Sequence, residues 1–368
     1  MRRVLAQTRK ELTQVLRDRL AVALILVLPL LLLLLIGSAI SLDVSDMPIV
    51  AQDLDDSPAS REFLDAFRAS LSFRVVPWKS DENPENALRK GLARGALIIP
   101  RHFSRTLARG GTAEVQLLID ATDANTAKLV QGYAGQVARA FEQHSGLSVR
   151  PAPVQAQIRL WYNPGRVSTK FFGPGIFVLG LSMFPPLLAA LAMAKEGEDE
   201  TILQVYVSNI SAHEFLLGKI FACMVLAAAE WMLTLAFLFT YFGLNFVGDP
   251  SAFLVASVLY IFCVSAYGTL IGAAIPSQAA AMQAVALGGF LLVFLLGGLI
   301  FPVSNIPNGL RWVSSLVWGR YYIEIVRDAL LVGGGWPAMW RNVAAIAIIG
   351  AVFYLLAWRS MRRMQLGA

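Results

Sequence analysis

Apolar residues in this chain gather into six runs, Leu20 to Ile40, Pro174 to Ala194, Phe215 to Leu244, Ala252 to Ile275, Ala279 to Phe301 and Val343 to Trp358. A hydrocarbon core about 30 Å thick takes a helix of about 20 apolar residues, and most of these runs reach that length. Backbone groups in lipid must be satisfied inside the segment. The pattern therefore predicts an α-helical membrane protein with six transmembrane helices.

The pattern changes between the first two runs. Residues 41–170 hold no spanning segment, and their 16 basic and 14 acidic side chains are scattered. Short β-like runs at 48–52, 73–78, 96–100 and 115–120 alternate with helical patterns over Ser57 to Leu71, Asn83 to Ala93 and Thr126 to Phe141. Alternation of this kind predicts a small α/β domain with a mixed or parallel sheet, inserted after the first span. Asp55 or Ser57 suits the cap of the first helix, and Asp123 or Asn125 that of the third. A second intermediate segment, 302–339, is too charged to cross and too apolar for a free loop. Short helices dipping back into the outer leaflet fit it.

Composition agrees with a membrane protein: 56% of the 368 residues are hydrophobic and 15% charged, against about 25% charged in soluble domains. The net charge of +6 is concentrated at the ends, which argues against a nucleic-acid partner. Arg2, Arg3, Arg9, Lys10, Arg17 and Arg19 precede the first span, and Arg359, Arg362 and Arg363 follow the last. Six crossings return the chain to its starting side, so both termini are expected in the cytoplasm and residues 41–170 outside. Arg311, Arg320 and Arg327 in an external segment run against that rule. Residues 1–19 read as an amphipathic helix on the inner leaflet, basic face to the lipid headgroups. The first apolar run exceeds the core of a secretory signal and reads as an uncleaved anchor, first transmembrane helix 20–40.

Candidate chemistry is sparse. Cys223 and Cys263 lie inside predicted spans, His102 and His144 are isolated, and no metal-ligand spacing or nucleophile elbow occurs. No phosphate-binding G-x-x-x-x-G-K-[ST] loop is present, so no cofactor is expected on this chain. Lys195, Glu196, Glu198, Asp199 and Glu200 crowd the end of the second span, where charge pins the helix at the interface and can meet a basic partner. A solvated stop-transfer loop is the plainer alternative. Glu230 stands near the middle of the third span, where three readings stay open: a substrate or proton site, a structural hydrogen bond, or a span placed off-centre. Pro185 and Pro186 should interrupt the hydrogen bonding of the second span and kink it. Phe171 and Phe172 mark its outer mouth, as an aromatic belt or a contact for greasy substrate. Gly268 with Gly272, and the pairs at 288–289 and 297–298, permit close helix approach.

Ordered motifs along nearly the whole chain carry a resemblance. They are VAQDLDDSPASREFLDAF, ARGALIIPRHFSRTLARG, VQLLIDATDANTA, AKEGEDETILQVYVSNISAHEFLLGK and GGLIFPVSNIPNGLRWVSSLVWGRYYIEIVRDALLVG. The sequence resembles type-2 ABC exporter permeases of the bacterial multidrug-efflux subgroup with a large external domain between the first and second spans. The resemblance implies a subunit of the bacterial inner membrane that exports a hydrophobic or amphipathic compound. It also implies a second permease, identical or a sister, and cytoplasmic ATPase subunits holding ATP and Mg. A periplasmic adaptor and membrane lipid are further expected partners. Loop 195–214 would carry the coupling helix, with Thr201 and Gln204 matching the family pattern and Glu200 standing where glycine is usual. The five-helix region 171–368 would line the path with Glu230, Phe171, Phe172, Pro185 and Pro186. An ion-coupled antiporter using Glu230 and a membrane sensor with an external ligand-binding domain are the alternatives.

Overall fold

The structure, a computed structural model, describes residues 2–39, 46–78, 82–120, 124–145, 168–199, 210–299, 303 and 306–366. They form two compact units, one of residues 1–40 and 161–368, the other of residues 41–160. Helix α1, Arg2–Arg17, leads into the first span, α2, Arg19–Ala39. Asp18 divides them: its Oδ1 accepts the Leu20 and Ala21 amides at 3.0 and 3.2 Å, capping the new helix.

The second unit holds a four-stranded sheet with helices on its faces. In chain order it comprises β1 Met47–Asp53, α3 Pro58–Ala69, β2 Phe73–Val76, α4 Glu85–Arg89, β3 Gly95–Ile99, α5 Phe103–Ala108, β4 Gln116–Ile119 and α6 Ala124–His144. The strand order is β2-β1-β3-β4, with only the β3–β4 pair antiparallel. Side chains alternate across the sheet as the strand period requires. Ile49, Leu97 and Ile99 meet the aromatic rings of Phe63, Phe67, Phe103 and Phe141, whereas Val50 and Ala96 face Ala87 and Ala93. Ser57 caps α3 in a reciprocal box with Ser60, and Pro58 begins the first turn. Asp55 instead accepts the Ser104 amide at 3.0 Å, at the start of α5. Of the two cap candidates for α6, Asp123 lies outside the described residues.

The remaining chain forms the second span α7 Ser168–Glu198, the third α8 Ala212–Thr240 and the fourth α9 Ser251–Ala274. The fifth, α10, covers Gln278–Leu296 with a π-helical turn at Ala286–Leu291. Short helices α11 Asn308–Ser314 and α12 Trp318–Arg327 precede the sixth span, α13, Gly335–Leu366. Six helices among the described residues are long and apolar enough to cross a membrane. The second span is the most enclosed of them, packed by the first, third, fourth and fifth. Gly268 and Gly272 make its crossing with the fourth possible: a Cβ on either would strike the Pro186 or Ala190 carbonyl.

Boundaries of three spans move from their predicted places, the second running Ser168–Glu198 rather than Pro174 to Ala194. The fifth span ends at Leu296 rather than Phe301, because Gly297 and Gly298, the latter at φ 83°, turn the backbone out of the helix. The sixth begins at Gly335 rather than Val343 because the polar Asn342 is satisfied within the bundle, its Nδ2 donating to Glu324 at 2.8 Å. The prolines do not divide the second span: Pro174, Pro185 and Pro186 all lie inside one 31-residue helix.

Candidate functional site

Polar side chains in the membrane unit gather at two places. One lies where α1 meets the ends of the second and third spans. The α1 sequence sets Gln7 and Glu11 one turn apart, and both are buried against α8 while the arginines and Lys10 stay exposed. Lys219, in the second turn of α8, donates to Glu11 Oε1 at 3.0 Å, to Glu196 Oε1 at 3.0 Å and to the Ala192 carbonyl at 3.1 Å. Gln7 Nε2 adds a bond to Glu11 at 2.9 Å, and Lys10 Nζ lies 3.3 Å from Glu196. Thr8 donates to the Gly218 carbonyl, and a Cβ on Gly218 would overlap Gln7. The Lys219 side chain is 4% exposed, so its charge is compensated wholly by these partners. Three chain segments are thereby fastened at one point.

The same end of the second span is tied to the fifth. Glu198 accepts the Gln278 amide at 2.8 Å and its side-chain amide as well, supplying from another helix the cap that Ser277 does not. Glu196 and Glu198, two acids of the predicted docking run, are thus engaged within the chain. Lys195 and Asp199 are exposed. Glu200, Thr201 and Gln204 lie outside the described residues.

The second gathering is a hydroxyl and aromatic core among the second, third and fourth spans and α12. The Tyr260 and Tyr322 rings stack at 4.1 Å, and both side chains are fully buried. Tyr260 shares a hydrogen bond of 2.6 Å with Ser182, and Tyr322 one of 2.8 Å with Ser257, while Trp231 Nε1 donates to the Tyr322 hydroxyl at 3.0 Å. Tyr322 comes from α12, and its side chain is buried among the spans. Arg327, one of the three arginines that run against the charge rule, has structural partners. Its guanidinium donates to the carbonyls of Gly298 and Leu299 at the broken end of the fifth span and stacks 4.1 Å from the Phe171 ring.

The candidate path residues separate. Phe171 is half-buried beneath Arg327, and Phe172, Pro185 and Pro186 lie in the interior of the subunit. The Pro185 carbonyl accepts Cys223 Sγ at 3.2 Å. Glu230 is fully buried, and neither carboxyl oxygen has a hydrogen-bond partner among the described residues. Gly180 of the second span and Pro29 of the first stand beside it. That arrangement disfavours the structural hydrogen bond considered above. Sequence reasoning missed Lys219, Glu11 and Tyr322. The spacing of Gln7 and Glu11, and a lysine inside an apolar run, were the available signals for the first two.

A buried ion cluster at the foot of a six-helix bundle is a structural junction until its lineage is known. A family model described as ABC-2 family transporter protein matches residues 20–359. The chain belongs to the ABC-2 family of transporter proteins. This ABC-2 chain is 26% identical over 367 residues to the probable multidrug ABC transporter permease YbhS of Escherichia coli, covering 98% of this chain and 97% of the relative. It is 27% identical over 365 residues to the probable multidrug ABC transporter permease YbhR of the same organism, covering 96% and 97%. The inner membrane transport permease YhhJ is 22% identical over 321 residues, covering 86% and 85%. The ABC-2 chain is therefore a multi-pass permease, its relatives are transport components rather than ATPases, and its family implies a partner ATPase and a second permease. The antiporter and sensor alternatives find no support in these relatives.

Proposed function

We propose that this ABC-2 permease exports a hydrophobic or amphipathic compound, drug-like or lipid-like, from the cytoplasm or inner leaflet, driven by ATP hydrolysis on a separate subunit. In this reading both termini are cytoplasmic, and residues 41–170 lie outside, where they seal the exit or meet an adaptor. Loop 195–214 receives the ATPase. The Lys219 junction carries the proposal. It fastens α1, the second span and the third span at the end from which that loop leaves. A push on the loop then moves three helices together, while Glu198 passes it to the fifth. Buried ion pairs are poor sources of stability compared with apolar packing, so retaining one here fits a device that fixes geometry.

Purification of the full chain expressed with its ATPase, without crosslinker, tests this reading. ATPase subunits should remain bound, and hydrolysis in vesicles should drive export. Glu200→Gly and Glu196→Gln should alter the coupling of hydrolysis to export. A chain that purifies without an ATPase and transports under an ion gradient alone would sink it.

A further inference from the structure

We propose that the hollow between α1 and the second span binds the headgroup of a zwitterionic aminophospholipid from the leaflet beside α1. The hollow has a volume of about 630 Å³, within the range of small-molecule sites. Its charged lining holds both signs: Lys10 and Lys195 against Glu11, Asp18, Glu196 and Asp199. Glu11 and Glu196 are already compensated by Lys219 and Lys10. The groups left for a ligand are the Lys195 ammonium and the Asp199 carboxylate, one turn apart on the second span and forming no ion pair with each other among the described residues, with Asp18 opposite. Deeper along the same helix the lining turns apolar at Leu191 and Leu188, faced by Ala21 of the first span. Leu188 lies about 10 Å below Lys195 along the axis, seven residues at the helical rise. Exposed Leu20, Val27 and Leu28 continue an apolar surface along the first span, where acyl chains can lie.

Charge balance selects the headgroup. An anionic lipid would bring its phosphate to the Asp199 carboxylate and to Asp18, whose Oδ1 caps the first span but whose charge has no cationic side chain paired to it among the described residues, and a simple cationic amphiphile would meet Lys195. A phosphate beside Lys195 and an ammonium beside Asp199 and Asp18 satisfy both signs at once, with charge-assisted hydrogen bonds. A quaternary ammonium has no N–H to donate, so an ethanolamine headgroup fits better than choline. This inference requires only that the chain sits in a membrane, and it is independent of the direction and energy source of transport.

The test is native mass spectrometry of the delipidated full chain titrated with phosphatidylethanolamine, phosphatidylcholine and phosphatidylglycerol of equal acyl length. Phosphatidylethanolamine should bind about tenfold more tightly than either, the worth of one charge-assisted hydrogen bond. Asp199→Asn, an exposed change that leaves the fold intact, should remove that preference, and Leu191→Trp should block the hollow, with thermal unfolding as the check on folding. Equal affinity for the three lipids overturns the proposal. So does phosphatidylethanolamine binding that Asp199→Asn leaves unchanged, or a hollow that takes tetraphenylphosphonium and excludes phosphatidylethanolamine.

Discussion

Lys219 illustrates what one residue can decide in a bundle of this kind. Its ammonium holds Glu11 and Glu196, both at 3.0 Å. Lys219→Met should therefore cost about 3–5 kcal/mol, because two buried carboxylates lose their buried counter-ion and keep only the half-exposed Lys10 beside them. Replacing all three residues by apolar ones should restore most of that stability while leaving export impaired. Thermal unfolding in detergent and vesicle transport separate the two effects. Glu230 predicts the opposite sign: with both oxygens unpartnered among the described residues, Glu230→Leu should raise the unfolding temperature, and a loss of export in that stabilised protein would mark the carboxyl as functional. At Asp55, hydrogen bonds from Ser57 and Ser104 hold the carboxyl below its ordinary value. The stabilisation this gives is complete above the unfolded value of about 3.9 and is lost as the pH falls through the lower folded value. Amides of α5 should exchange faster as the pH drops through that window, and Asp55→Asn should abolish this dependence; exchange rates corrected for intrinsic pH effects provide the measurement.

Elements show why local pattern and final boundary can differ. The third and fourth spans kept their predicted limits within a few residues, because their ends are set by local signals such as the Ser211–Glu214 capping box that opens the third. The fifth and sixth did not, because Gly298 and Asn342 draw their meaning from Arg327 and Glu324 on α12. The second span stays helical through Pro185 and Pro186 while enclosed by its neighbours, so the hydrogen bonds that the pair removes do not end the helix. The crossing with the fourth span depends on the small residue at 268. Gly268→Ala should force the Pro186 backbone away and cost about 1–3 kcal/mol by overpacking, read as a lower unfolding temperature. In the other unit, α3 began where its sequence placed it, since Ser57 and Pro58 are local start signals. Ser57→Ala should cost about 1 kcal/mol there, visible as faster amide exchange in the first turn of α3.

For the whole molecule, the sequence alone determined the class, the six spans, the alternation of strands and helices between the first two, and the family resemblance, because these follow from hydrophobic period, length and ordered motifs. It also marked Glu230 and the charged end of the second span as unusual, since charge in an apolar run is conspicuous in one dimension. Only the tertiary structure decided what that charge meets. Glu196 and Glu198 look alike in the chain, yet one is buried against Lys219 from a different helix and the other caps the fifth span. Arg327 looks misplaced under a rule that counts charges, but it closes carbonyls left open by a helix end 28 residues earlier. Tyr322 gives no sign in the sequence of being the residue around which Ser257, Trp231 and Tyr260 assemble. These roles depend on contacts between segments far apart in the chain, and such contacts are fixed by packing geometry, which a one-dimensional pattern does not contain.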